Sequence, residues 1–111
     1  LLAMEINMPP SETTVQVPES NVMTIYIKAD ETMLFKIGRS AIAPITWPEL
    51  EPTFRANVQE NPQLIILVKI SRQARYEPMV DMMDTLEDAH MERFSLIPMD
   101  PIDVEMLEAL Q

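Results

Sequence analysis

Alternating apolar and polar residues predict a pair of strands early in the chain. The apolar positions recur at every second residue in two runs: Met23, Ile25 and Ile27, then Met33, Phe35 and Ile37. In the first run the intervening residues are more polar, which is typical of a strand with one buried face. The polar segment Ala29-Asp30-Glu31-Thr32 lies between the runs and favours a turn, so we predict a β-hairpin. Gly38, the only glycine, follows the second strand and indicates a turn with positive φ. Pro44 then restricts the short apolar segment 40–45 to a sheet edge or a loop.

A helix is predicted after this segment. Thr46-Trp47-Pro48-Glu49 fits a capping box with proline in the first turn. The residues predicted to form its buried stripe recur at helical spacing: Trp47, Leu50, Phe54 and Val58. Asn61-Pro62 ends this helix.

The second half of the chain predicts a strand, a helix and another strand. The apolar strands are 64–70 and 94–98, and the helix between them begins at Tyr76 with Pro78 near its start. We predict that one face of this helix is buried, formed by Tyr76, Met79, Val80, Met83 and Leu86. The opposite face carries the acids Glu77, Asp81, Asp84 and Asp88.

The two ends of the chain predict smaller elements. Met4, Ile6 and Met8 alternate with polar residues as in a strand, whereas segment 11–21 is polar and is interpreted as a linker. Asp100-Pro101 predicts the start of a short helix through Met106, Leu107 and Leu110. The chain opens without an initiator methionine, so we expect it to be a piece of a longer protein.

These elements predict an α+β fold with a small mixed β-sheet. Two main helices are expected on one face of the sheet, with a short C-terminal helix in addition. We divide the chain into an N-terminal strand and linker (1–21), an α+β domain (22–99) and a C-terminal helical extension (100–111).

Composition excludes several classes of protein. The chain has 111 residues and a formal net charge of -10, with 18 acids and 8 bases. Such a charge repels a phosphate backbone, so nucleic acid is not expected as a partner. The chain has no cysteine, which removes disulfides and thiolate zinc sites. Its apolar runs are shorter than the roughly 20 residues that a membrane span needs.

Candidate chemistry is sparse, and the chain is not predicted to be an enzyme. His90 lies where the second helix should end, and we interpret it as a capping or charge-stabilising residue, since no serine or cysteine motif accompanies it. The acidic row has the spacing of metal ligands but also that of a solvated helix face, which we favour. The methionines are interpreted as core residues. Arg72 and Arg75 are interpreted as a solvated turn, and neither a metal nor a cofactor is predicted.

The order of elements and a few local motifs resemble the periplasmic domain of the ExbD/TolR family of biopolymer transport proteins. Trp47-Pro48-Glu49-Leu50-Glu51 is similar to the "Leu-Glu-x-x-Leu" helix of that family, and Tyr76 with Met79-Val80-Asp81-Met82-Met83-Asp84 resembles its "Val-Val-x-Val-Met-Asp" motif. Ile6-Asn7-Met8-Pro9 is similar to the step after the family's transmembrane helix. The chain departs from the pattern at Ile70-Ser71 and at Tyr76-Glu77, and His90 or a neighbour occupies the place of a helix-ending glycine.

The resemblance implies a single-pass subunit of the inner membrane, with this domain in the periplasm of a Gram-negative bacterium. It implies a homodimer that works with an ExbB/TolQ-like polytopic protein and passes proton-driven motion to a TonB- or TolA-like protein, or holds peptidoglycan. The proton-carrying aspartate would belong to the transmembrane helix and to none of the residues given. The family-motif residues expected to have structural roles are Leu50, Tyr76, Val80 and Met83, and Tyr76 is expected to anchor its helix to the sheet.

Contacts with a second chain are expected at exposed strand edges, because unpaired amides and carbonyls can pair with another strand. The candidate contact residues are Met4, Ile6, Met8, Ser40, Ala41 and Ile42. Fraying of residues 4–8 is the alternative for the first three. Two other classes stay open: a stand-alone small acidic module that binds a ligand or a protein, and a small metal-dependent enzyme.

Overall fold

The computed structural model of the protein describes residues 3–7 and 14–110. The chain begins with β1 (Ala3–Asn7) and β2 (Thr14–Pro18), which pair antiparallel, and a short 3-10 helix (Glu19–Asn21) follows. The remaining elements are, in chain order, β3 (Val22–Ile27), β4 (Met33–Ile37), β5 (Ala43–Ile45), α1 (Trp47–Glu60), β6 (Ile65–Ile70), α2 (Glu77–Asp88), β7 (Phe94–Pro98) and α3 (Pro101–Ala109).

The main sheet is mixed and has the strand order β5-β4-β3-β6-β7. The β3–β4 hairpin and the β4–β5 pair are antiparallel, whereas β6 runs parallel to both β3 and β7. Parallel pairs need a crossover, and here helices α1 and α2 provide it. The predicted α+β class with a small mixed sheet is confirmed.

One face of the sheet is covered by α1 and α2, as predicted. Leu50 and Phe54 of α1 and Met82 and Leu86 of α2 are fully buried against this face. The sheet contributes every second residue of its central strands to the same cluster, namely Met23, Ile25, Ile27, Ile66 and Val68. The predicted stripe of α1 is confirmed, with Trp47 and Val58 partly buried at its two ends.

The opposite face of the sheet is also covered, which the alternating pattern of β3 did not predict. Val22 packs with Val17 of β2 and with Ile65 and Leu67 of β6, and Tyr26 packs with Leu107 of α3. Every residue of β3 is therefore buried, and the prediction of one buried face was wrong for this strand. β3 has a strand on each side and a covering element on each face, as is usual for strands with parallel neighbours.

The interpretation of segment 11–21 as a linker is wrong for its second part. Residues 14–18 form β2, and the side chain of Val17 is 5% exposed. The segment is polar overall. A single apolar side chain that faces the sheet, here Val17, is enough to pack the strand against it. The β1 strand predicted at residues 4–8 is confirmed over Ala3–Asn7, and Met8 lies outside the described residues.

The helix starts follow their sequence signals. In α3 the pairing is reciprocal: Asp103 N donates to Asp100 Oδ1 (2.9 Å) and Asp100 N donates to Asp103 Oδ2 (3.1 Å). In α1 the Glu49 carboxylate accepts from Thr46 N at 2.9 Å, and Glu49 N donates to the Thr46 carbonyl at 3.1 Å. The hydrogen bonds from Thr46 lower the pKa of Glu49.

The C-terminal end of α2 places a histidine where the backbone is left-handed. His90 has φ 59°, and Met91 N donates to the Leu86 carbonyl at 2.9 Å. This is the conformation in which helices commonly end with glycine. His90 is therefore confirmed as the residue that fills the glycine position.

His90→Gly is expected to stabilise the protein by about 1 kcal/mol, because glycine adopts positive φ without the steric penalty of a Cβ. The measurement is the free energy of unfolding in urea at 25 °C. The matched control is Glu87→Gly within the helical part of α2, which should destabilise by about 1 kcal/mol. A loss of stability in His90→Gly would show that the imidazole itself contributes more than the backbone strain removes.

Candidate protein-contact site

An apolar groove lies at the carboxyl ends of β6 and β7, beside the first turn of α2. Its volume is about 430 Å³. The groove is lined mainly by Ile70, Ala74, Tyr76, Met79, Leu96, Ile97 and Pro98, with Ser71 and Arg75 as polar members. Tyr76 is 72% exposed and Ile97 is 38% exposed, so two large apolar side chains stand open to solvent at this place.

The groove lies next to a free strand edge. β7 is the last strand of the sheet and pairs only with β6 within the described part of the chain. A free edge offers main-chain amides and carbonyls, and the neighbouring apolar side chains offer contact area for a bound segment. The arrangement suits association with another polypeptide in extended form.

Polar contacts from the β6–α2 loop hold the surroundings of the groove in place. The Arg75 guanidinium lies 3.0 Å from the Glu31 carboxylate, and hydrogen bonding from this pair raises the pKa of Arg75. Glu31 belongs to the β3–β4 turn, and its carbonyl accepts from Trp47 Nε1 at 3.2 Å. Arg72 Nε donates to the Met99 carbonyl at 3.1 Å. Arg72 and Arg75 are exposed, as expected for a solvated turn, and each side chain also contacts another part of the fold.

The predicted buried face of α2 is displaced from the observed one. The buried residues are Pro78, Met82 and Leu86, while Met83 is 42% exposed and Val80 is half-buried. Tyr76 precedes the helix and projects into solvent, so its predicted role as an anchor to the sheet is wrong. Residues 78, 82 and 86 also recur at helical spacing. The prediction left Pro78 out of the buried face because proline at this position is typical of a helix start. Of the family-motif residues, Leu50 is fully buried as expected.

The predicted contact residues are divided between two places. Met4 is partly buried against the cluster of Val17, Val22, Ile65 and Leu67, and Ile6 pairs with Val15 within the same chain. Met8 lies outside the described residues. Ser40 and Ala41 are exposed in the turn before β5, and the Ser40 hydroxyl accepts from Ile37 N at 3.0 Å.

Ile42 is partly buried beside Tyr26, Met99 and Leu107. The β5 strand that follows it is the second free edge of the main sheet, and Pro44 lies in it as predicted. The other edge, at Ile97 in β7, is not predicted by the local sequence pattern. The only indication of this edge in the sequence is that residues 94–98 form the last predicted strand.

The search for a metal site gives a negative result within the described residues. Within residues 3–7 and 14–110 no group of three or more His, Asp or Glu side chains could hold a metal ion. The acids Asp81, Asp84 and Asp88 of α2 are exposed. None of the helices described is both long and apolar enough to cross a bilayer.

A buried ionic contact fastens α3 to the second face of the sheet. Lys69 Nζ of β6 lies 3.0 Å from Asp103 Oδ1, and the two side chains are 18% and 9% exposed. The Tyr26 side chain lies in the same region and is 2% exposed. Burial, with the nearby charges of Asp103 and Asp100, raises the pKa of Tyr26 to about 12.

The tyrosine makes stability fall in alkaline solution. Its folded pKa is above its unfolded value, so the folded state holds the proton longer and stability declines between about pH 10 and about pH 12. We expect the free energy of unfolding to drop by roughly 2–3 kcal/mol more in the wild type than in Tyr26→Phe over this range. The measurement is urea unfolding at several pH values. Parallel pH curves for the two proteins would contradict the prediction.

Comparison with known families agrees with this architecture. Curated proteins yield no significant match to the chain. A family model described as "Biopolymer transport protein ExbD/TolR" matches residues 1–99, which leaves α3 outside the matched region. The resemblance inferred from the strand, the tyrosine and the α2 motif is thereby confirmed, and the chain belongs to the ExbD/TolR family of biopolymer transport proteins.

Proposed function

We propose that this chain is the periplasmic domain of a proton-driven transducing subunit of the inner membrane. It dimerises, works with an ExbB/TolQ-like polytopic protein and passes motion to a TonB- or TolA-like protein or to peptidoglycan. The family match over residues 1–99 is the observation that carries this proposal. The free β7 edge with the exposed side chains of Tyr76 and Ile97 supports a role in protein contact.

The membrane part of the proposal is tested on the full reading frame. The codons upstream of Leu1 should encode about 20 apolar residues that contain one aspartate. Replacing that aspartate by asparagine should abolish transport or envelope function in cells while leaving the amount of protein unchanged. A reading frame without such a span would refute the transducer proposal.

The contact part is tested by cysteine crosslinking, for which the absence of native cysteine makes single variants unambiguous. Ile97→Cys reports the β7 edge and Ser40→Cys reports the turn beside the β5 edge. Gln59→Cys, exposed on α1, is the control. We expect disulfide-linked dimers from one of the two edge variants under mild oxidation and none from the control. Absence of dimers from both edge variants would refute dimerisation through these edges.

A stand-alone module that binds a ligand or a protein is the alternative function. The groove beside Tyr76 favours this alternative, because its volume of about 430 Å³ is enough for a small apolar molecule. A thermal-shift screen distinguishes the two, since a large stabilisation by a small molecule favours the module.

A further inference from the structure

A second cavity lies between the turn after β4 and the C-terminal end of α3. Its volume is about 460 Å³, within the range of small-molecule sites. Its polar lining residues are Glu19, Lys36, Arg39 and Ser40, and its large apolar ones are Ile42 and Leu110. Neither the edge groove nor the α2 motif belongs to this region.

One of the two cations that line this cavity has no acidic partner among the described residues. Lys36 is half-buried, and no carboxylate lies within ion-pair distance of it among the side chains that the structure describes. Arg39 is 73% exposed, and its Nε lies 3.6 Å from Glu19 Oε2, a carboxylate oxygen that is buried without a hydrogen bond. In a chain with 18 acids and 8 bases, an unpaired lysine and a second, largely exposed cation that line the same cavity indicate an anionic ligand.

The other lining groups narrow the class of anion. The Ser40 oxygen accepts from Ile37 N at 3.0 Å, and its O–H remains available as a donor. Two cations and the Glu19 carboxylate leave the site with a small positive charge, which suits a singly charged anion better than a doubly charged phosphate. Ile42 and Leu110 provide contact area for an alkyl group.

We propose that this cavity binds the carboxylate of a small aliphatic acid. Lys36 and Arg39 hold the carboxylate oxygens, Ser40 donates a hydrogen bond, and the alkyl group packs against Ile42 and Leu110. The acid is either a free carboxylic acid or the carboxyl terminus of a peptide with an aliphatic last residue. Leu110 lies beyond the family-matched residues 1–99, so the C-terminal extension completes the site. The proposal does not depend on the transducer function.

The test is a titration of the ¹⁵N-labelled chain followed by NMR, at about 150 mM salt to screen non-specific attraction. The ligands are hexanoate, for the free acid, and N-acetyl-leucine, for the peptide end. Their uncharged controls are hexanamide and N-acetyl-leucinamide. We expect saturable shifts of the Gly38, Arg39 and Ser40 amides with an acid and none with its amide. Saturation by both acids identifies the carboxylate as the recognised group, and saturation by N-acetyl-leucine alone identifies a peptide end.

Two variants distinguish this site from general charge attraction. Lys36→Met should weaken binding about tenfold or more, because it removes a charge-assisted hydrogen bond. Lys28→Met is the matched control: Lys28 is also half-buried, lies beside a different cavity and changes the net charge equally, so binding should stay within about twofold. Arg39→Gln repeats the test at the second cation, which is 73% exposed.

Equal binding of acid and amide would overturn the proposal. So would unchanged affinity in both Lys36→Met and Arg39→Gln, or shifts that rise linearly without saturation.

Discussion

Phe54→Ala is expected to destabilise the protein by about 3–5 kcal/mol, the typical effect of removing a buried aromatic ring. Phe54 is fully buried where α1 packs on the sheet and against the cluster that includes Met82 and Leu86 of α2. Because domains of this size are stable by about 5–15 kcal/mol, the variant should be partly unfolded at physiological temperature. The measurement is urea unfolding followed by circular dichroism at 25 °C.

The control for Phe54→Ala removes an apolar side chain that is not packed. Ile102 on α3 is 74% exposed, and Ile102→Ala should change stability by less than about 0.5 kcal/mol. A loss below about 1 kcal/mol in Phe54→Ala would mean that α1 is not packed on the sheet as described.

Lys69→Met is expected to destabilise the protein by about 3 kcal/mol, since it leaves the Asp103 carboxylate buried without its cation. The Asp103 side chain is 9% exposed and lies 3.0 Å from the ammonium, so little water can replace the lost partner. Loss of the cation should loosen α3 first, because this pair joins α3 to β6. Urea unfolding measures the loss of stability of the whole protein. Amide hydrogen exchange in α3 measures the loosening of that helix.

A second substitution separates an unpaired charge from lost packing. In Lys69→Met/Asp103→Leu no buried charge remains, so most of the stability should return, with about 1 kcal/mol still missing because Asp103 also caps α3. The control is Arg55→Met: Arg55 pairs with Glu51 at 3.3 Å on the surface of α1, and its loss should have an effect below about 1 kcal/mol. A double variant no more stable than Lys69→Met would show that the two groups act independently.

Local patterns predicted most of the elements, because helix caps and strand alternation depend on neighbouring residues. Thr46 and Asp100 mark helix starts that the structure confirms, and Gly38 has the expected positive φ of 59°. The wrong predictions concern residues whose burial depends on distant parts of the chain. The second face of β3 is buried because α3 and β2 cover it, and no periodicity within residues 22–27 contains that information.

The candidate contact site was predicted less well for the same reason. Tyr76 and Ile97 are separated in sequence and meet only because β7 lies beside β6 at the end of the sheet. The rotation of α2 depends on which of two overlapping apolar rows, one through Met82 and one through Met83, reaches the core. The residues are equally apolar, so sequence alone could not choose between them.

The parallel pairing of β3 with β6 also sets an order for the folding of a new chain. The β3–β4 hairpin joins strands that are close in sequence. The other side of β3 pairs with residues 65–70, which follow α1 in the chain. Contacts between distant segments close more slowly than local ones. Until β6 is in place, Met23 and Ile25 have no α1–β6 layer to bury them, so an incompletely folded chain exposes these apolar residues to aggregation.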